Sequence, residues 1–144
     1  MLKSFHYPAS FTPDEDGCPA VRFPDFPGAI TGGHDMAEAM DEASDCLGCA
    51  IAFTMLDKLP IPKPSRPAAG QLMVPVPMHL APKLALYITL REQRVSNAEL
   101  ARRLGVRETV VRRMLDSRHH SRPERLNAAL AALGRRLVVR MEAA

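Results

Sequence analysis

The sequence predicts an α+β protein in two parts, a small β-β-β-α-β domain over residues 1–78 and an all-α domain over 79–144. Three observations lead there. Short runs of β-forming residues punctuated by turn residues come first. A stretch with four prolines in nine residues, Leu59-Pro60-Ile61-Pro62-Lys63-Pro64-Ser65-Arg66-Pro67, then interrupts the chain. Beyond it, a serine cap, a glycine turn and a proline start mark successive helices.

Taken in order, Phe5 to Phe11 reads as a strand, Asp14-Glu15-Asp16-Gly17 as a tight turn and Ala20 to Phe23 as the returning strand of a hairpin. Phe23-Pro24-Asp25-Phe26-Pro27-Gly28 is expected to break the ladder, because its prolines donate no N–H, leaving Ala29 to Gly32 as a short third strand. A helix follows, capped by Asp35. Its apolar positions Met36, Ala39, Met40, Ala43, Leu47, Ala50 and Ile51 recur at spacings of three and four, with Glu38, Asp41, Glu42 and Asp45 on other faces. The proline-rich segment excludes helix and favours extended backbone over 59–67. Leu72 to Pro77 alternates apolar residues with prolines, a pattern acceptable only at a sheet edge.

The second part is helical from Pro82 to about Arg94. Ser96-Asn97-Ala98-Glu99 is a capping box, in which Ser96 receives the Glu99 amide and the Glu99 carboxylate reaches back to the Ser96 amide. The short helix it opens ends at Gly105, which supplies positive φ, and a second helix runs from about Arg107 to Leu115. Pro123 opens a fourth, closed by Gly134, and Leu137-Val138-Val139 finishes as a brief strand or an apolar tail.

Composition narrows the class of function. A chain of 144 residues, 47% hydrophobic and 24% charged, folds rather than staying disordered. No apolar run reaches the roughly 18 residues of a membrane helix, and the start lacks the basic-then-apolar layout of a signal peptide, so a cytoplasmic protein without membrane association is expected. Three cysteines, an odd number, point to reduced thiols. The net charge of +3 conceals a division: residues 1–78 hold 5 Lys and Arg against 10 Asp and Glu, whereas 79–144 hold 14 against 6. A half carrying −5 suits a basic protein partner, and a half carrying +8 suits a phosphate backbone.

The pattern Glu99-Leu100-Ala101-x-x-Leu104-Gly105-Val106-x-x-x-x-Val111 is the plan of a DNA-binding helix-turn-helix. With Val111, Met114 and Leu115 facing the core, Glu108, Thr109, Arg112 and Arg113 point outward, where they can meet base edges and phosphates. Arg102, Arg103, Arg107, Arg118, Arg122 and Arg125 surround that face, and the guanidinium fork suits bidentate contact with guanine or phosphate. The competing reading is a helical bundle whose arginines are merely solvated.

In the acidic half, Asp14, Glu15, Asp16 and Asp25 are the candidate surface for a basic partner. Clustered carboxylates also suit a metal-dependent nuclease, but adjacent acids before a glycine are more simply a solvated turn, and the ligand spacing of a calcium loop is absent. Cys46 and Cys49 form a C-x-x-C whose only nearby zinc-ligand candidates are Cys18 and His34. Inside an amphipathic helix, packing is the simpler role. His119-His120 can support phosphate contact when protonated, or be simply exposed. No catalytic residue, metal or cofactor is assigned.

Tyr7-Pro8-Ala9-x-Phe11 leading to Asp14-Glu15-Asp16-Gly17, then Phe23-Pro24-Asp25-Phe26-Pro27-Gly28-x-x-Thr31-x-Gly33, resembles the N-terminus of HicB antitoxins. The acidic helix, Pro60-x-Pro62-x-Pro64-Ser65 and Leu130-x-x-Leu133-Gly134-x-x-Leu137 are similar to members carrying a helix-turn-helix, so the likeness spans nearly the whole chain. The resemblance implies a partial ribonuclease-H-like N-domain without catalytic activity that binds and neutralises a HicA-type mRNA interferase toxin. It also implies a C-domain that represses its own operon on operator DNA, assembled as a homodimer or higher homo-oligomer. One position departs: Arg107 stands where such a helix often begins with serine or threonine, which weakens the cap and frees the side chain for phosphate. The runner-up function is a stand-alone ligand-sensing helix-turn-helix regulator, which needs a cavity in the first 78 residues.

Overall fold

A computed structural model of the chain describes residues 3–143. Two compact units divide between Ala81 and Pro82, three residues beyond the expected cut after Met78. The turn after Pro77 belongs to the first unit, since the Leu80 and Ala81 amides both donate to the Pro77 carbonyl at 2.9 Å.

In the first unit β1 (His6–Pro13) and β2 (Pro19–Phe23) are joined by the acidic turn. One Asp14 carboxylate oxygen accepts from the Asp16 amide at 2.9 Å and the Cys18 amide at 2.8 Å, a local alternative to ladder bonding that closes the reversal. β3 (Phe26–Gly32) lies beside β2, and β4 (Gln71–Pro75) on the other side of β1. The sheet order is β3-β2-β1-β4, antiparallel throughout, with Ser10 opposite Arg22 and Tyr7 opposite Val74. The proline-flanked β4 is therefore an edge strand.

The expected break between Phe23 and Gly28 is present, largely as a bulge. Phe23 pairs with Phe26, but the next pair is Arg22 with Ile30, so β3 begins at Phe26 while Pro27, Gly28 and Ala29 have no partner in β2. With Pro24 in the turn and Pro27 in the bulge, neither proline is asked for a ladder N–H.

Asp35 caps α1 (Met36–Leu56) by accepting the Glu38 amide at 2.8 Å. α1 packs on the sheet and buries Ala39, Ala43, Leu47, Ile51 and Met55, while the strands contribute Ala9, Val21, Phe23, Ala29 and Val74 to the core. Met36, counted on the apolar stripe, is exposed at the helix start. Gly33 is required by close approach. A Cβ there would lie 2.9 Å from the Ala39 Cα and from the Glu38 carbonyl carbon, nearer than real Cβ contacts come.

Tyr7 and Asp25 tie the proline-rich segment to the sheet. The Tyr7 hydroxyl donates to the Pro62 carbonyl at 2.7 Å, and an Asp25 oxygen accepts from the Ser65 amide at 3.0 Å and hydroxyl at 3.2 Å. The Tyr7 ring meets Phe26 edge to face at 5.2 Å. Burial, and secondarily the Asp25 charge, push the Tyr7 phenol from 10.0 up to about 12. The folded state thus holds this proton more tightly than the unfolded chain. Its contribution is intact below pH 10 and is lost as pH rises toward 12. Tyr7→Phe is expected to cost about 1 kcal/mol at neutral pH and to remove this alkaline loss, read from urea midpoints across pH.

The second unit comprises α2 (Ala81–Gln93), α3 (Asn97–Leu104), α4 (Glu108–Leu115) and α5 (Pro123–Ala131). Leu84, Leu90, Leu100, Val111, Met114, Leu126, Leu130 and Leu133 are buried in it. The chain after α5 is tied back to α2: Arg135 donates to the Thr89 hydroxyl at 2.8 Å and pairs with Glu92 at 2.7 Å, and the Gln93 amide group donates to the Leu133 carbonyl at 2.9 Å. Leu137 to Val139 form no strand, and this unit contains no described strand with which they could pair. Val138 and Val139 are exposed.

Candidate functional site

The basic face is built on α3 and α4. The Ser96 hydroxyl accepts the Glu99 amide at 3.1 Å, the first half of the capping box. The reciprocal half is not made. The Glu99 carboxylate instead takes Arg102 at 2.7 and 2.8 Å and Arg103 at 3.0 Å, because charge-assisted bonds one helical turn away outweigh one to a neutral amide. Those hydrogen bonds, led by the one from Arg102, hold the Glu99 carboxyl at about 2, below its usual 4.5. A lowered carboxyl contributes stability above the unfolded value and loses it as pH falls through the folded one. The α3 pairing is expected to be complete above pH 4.5 and to dissolve toward pH 2, with the Glu99 carboxyl carbon resonance titrating in that window.

Gly105 ends α3 with φ 66° and ψ 33°, a left-handed conformation natural to glycine. From there Val106 and Arg107 lead directly into α4. Arg107 occupies the cap position with no side-chain cap hydrogen bond, as its departure from serine or threonine predicts. Val111 and Met114 are buried and Leu115 half-buried, while Glu108, Thr109, Arg112 and Arg113 are exposed together on the other side. Arg112 sits 3.6 Å from Glu108, Arg118 pairs with Asp116 at 3.1 Å, and Arg103 is engaged by Glu99.

Lys83 was not singled out from the sequence, yet it holds the end of α4. It is 2% exposed, and its Nζ donates to the carbonyls of Arg113 and Met114, each at 3.1 Å, and to the Ser121 hydroxyl at 2.9 Å. A cation at a helix C-terminus satisfies orphan carbonyls and complements the dipole. Burial pushes its ammonium below the usual lysine value, partly offset by Asp116. The signal was available: residue 83 lies three residues from Leu80, four from Tyr87 and seven from Leu90, on an apolar face.

In the first unit Asp14 and Asp16 line an open cleft of about 490 Å³ with His34, Glu38 and Glu42. Glu38 accepts from the His34 amide at 2.6 Å and lies 2.7 Å from its Nδ1, and this pairing raises the His34 imidazole above its usual value. Glu38 and Glu42, on other faces of α1 than its apolar stripe, thus join the acidic turn. The meander places the β1–β2 turn beside the start of α1, which residue spacing within either element does not reveal. Asp25 does not join this group. It occupies the β2–β3 turn, at the opposite end of β2, with its carboxylate on Ser65. Asp14, Asp16 and Asp25 therefore do not converge as a nuclease centre would require, and among the described residues no three His, Cys, Asp or Glu side chains form a metal-holding group. Cys46 is half-buried, its thiol pushed up by burial and then by Cys49, which is exposed; neither is in a disulfide. No described helix is long and apolar enough to cross a membrane.

Comparison with known proteins places this architecture. Residues 6–85 match the family described as HicB_like antitoxin of bacterial toxin-antitoxin system. The chain belongs to the HicB-like antitoxin family. It is 42% identical over 137 residues to Antitoxin HicB 2 of Photorhabdus laumondii subsp. laumondii, covering 95% of this chain and 96% of that one. Antitoxin HicB 1 of the same organism is 33% identical over 144 residues, covering 99% and 90%. Antitoxin HicB of Escherichia coli K12 is 34% identical over 131 residues, covering 91% and 95%. The alignments with these HicB relatives thus run through both units, while the family match ends within α2.

Proposed function

We propose that this protein is an antitoxin that neutralises a HicA-type mRNA interferase and represses its own operon, acting without catalysis or a cofactor. The observation that carries the reading is the joining of a HicB-family sheet unit to a basic unit whose α4 exposes Glu108, Thr109, Arg112 and Arg113 together. The four-stranded sheet with one long helix serves as the partial ribonuclease-H-like toxin-binding module. Its acidic residues Asp14, Glu15 and Asp16 face the toxin at one end of β2, and Asp25 at the other. Favourable opposite fields steer the encounter.

α3 and α4 act as the helix-turn-helix, with α4 in the major groove. Arg112, Arg113, Glu108 and Thr109 meet base edges, and Arg107, Arg103 and Arg118 the phosphates. A homodimer or higher homo-oligomer presents two such helices to two half-sites of operator DNA. The site of action is the cytoplasm, where toxin and operon are found together.

The test is co-expression of the full chain with the HicA-type toxin encoded beside it. Growth is expected to be rescued and the two proteins to co-purify. Failure of both rescue and complex formation removes the antitoxin role.

A further inference from the structure

Between α4 and α5 lies a recess of about 290 Å³ that shares only Arg113 with the proposed base-reading face. Its rim is cationic: Arg113, Arg122 and Arg125 line it with His119, His120 and Ser121, and Val110 and Met114 supply apolar wall. No carboxylate lines it.

The pairing of arginines in this unit is selective. Arg102 and Arg103 share Glu99, Arg112 has Glu108, Arg118 has Asp116 and Arg135 has Glu92. Among the described residues, the three arginines of the recess have no carboxylate partner. Three guanidinium groups around one concavity repel each other, and an anion placed among them relieves that repulsion.

Two further features point the same way. Arg122 occupies the cap position of the nine-residue α5 without a side-chain hydrogen bond; Pro123 has no N–H and the Arg125 and Leu126 amides bond the Arg122 carbonyl, so the Glu124 amide is the donor left for an anion at this helix end. Ser121 accepts from the buried Lys83 at 2.9 Å, which leaves its own O–H free to donate and sets another positive charge behind the wall. The lining is rich in guanidinium forks and holds no carboxylate, which matches a tetrahedral oxyanion rather than a cation. From this geometry we infer that the α4–α5 recess is a binding site for a single phosphate group.

That phosphate can come from a DNA backbone or from free phosphate. The DNA arm rests on the repressor reading above, whereas the recess itself does not. The full chain is titrated with inorganic phosphate in a non-phosphate buffer at low salt and followed by amide NMR. Duplex affinity is then measured against salt. The variant is Arg122→Gln with Arg125→Gln, and Arg136→Gln with Arg140→Gln is the charge-matched control away from the recess.

Saturable shifts confined to residues 110–114 and 119–125, lost in the variant and kept in the control, are expected. With DNA, the variant is expected to weaken binding about 10-fold at low salt and to lower the salt slope by about 1 to 2, with sequence preference unchanged. Saturable phosphate binding by a wild-type chain that does not bind DNA assigns the recess to free phosphate and overturns the repressor reading alone. Absence of saturation, or equal loss in variant and control, overturns the recess proposal whether or not DNA binds.

Discussion

Alanine at both Arg112 and Arg113 is expected to abolish specific operator binding, by on the order of 100-fold or more, while the chain still neutralises its toxin. Both side chains are exposed on α4; Arg112 has only the 3.6 Å contact to Glu108, and Arg113 has no carboxylate partner among the described residues. Neither is buried, so removing them should change stability by no more than about 0.5 kcal/mol. A bidentate arginine–guanine contact supplies about 1–3 kcal/mol of discrimination, and losing two brings binding close to its non-specific level. Fluorescence anisotropy with operator and scrambled duplexes, beside growth rescue by the same variant, separates the two activities. Loss of both with an intact fold would break the assignment of DNA to one unit and toxin to the other.

Gly33→Ala is the substitution expected to damage the fold most for its size. The added Cβ meets backbone of α1, at 2.9 Å from the Ala39 Cα and the Glu38 carbonyl carbon, so no rotamer change relieves it. Either the start of α1 moves, disturbing the Asp35 cap and the buried Ala39, or the end of β3 does. A cost of about 3 kcal/mol is expected, read as a fall in the urea midpoint of the first unit. Gly17→Ala in the acidic turn is a useful contrast: its φ of 79° is strained for alanine, but nothing lies within 4 Å. It should cost only about 1 kcal/mol and leave the packing of α1 intact. Equal costs at the two glycines would show that close approach is not what constrains residue 33.

Much of the architecture was legible because it rests on local chemistry. Asp35, Ser96, Gly105 and Pro123 mark their helix boundaries through bonds or dihedrals contained within a few residues, and all four act where expected. The outward set on α4 followed from spacing alone, since 3.6 residues per turn separates Val111 and Met114 from Arg112 and Arg113. Local rules misled where a second partner competes. Glu99 forsakes the Ser96 amide for two arginines, whereas Pro27 falls in the unpaired bulge of β3, as its missing N–H requires.

The sequence by itself determined the division into an acidic α+β part and a basic helical part, the element order, and the exposed face of α4. Those depend on composition, periodicity and capping, which are written within one element at a time. Only the tertiary structure decided that Asp25 serves Ser65 at the far end of β2 from Asp14 and Asp16, and that Glu38 and Glu42 join the acidic cleft. It likewise decided that Lys83 closes the end of α4, and that Arg113, Arg122 and Arg125 surround one recess. Each of these juxtapositions brings together residues of different elements. Their proximity is set by how strands pair and helices cross, which no single segment encodes.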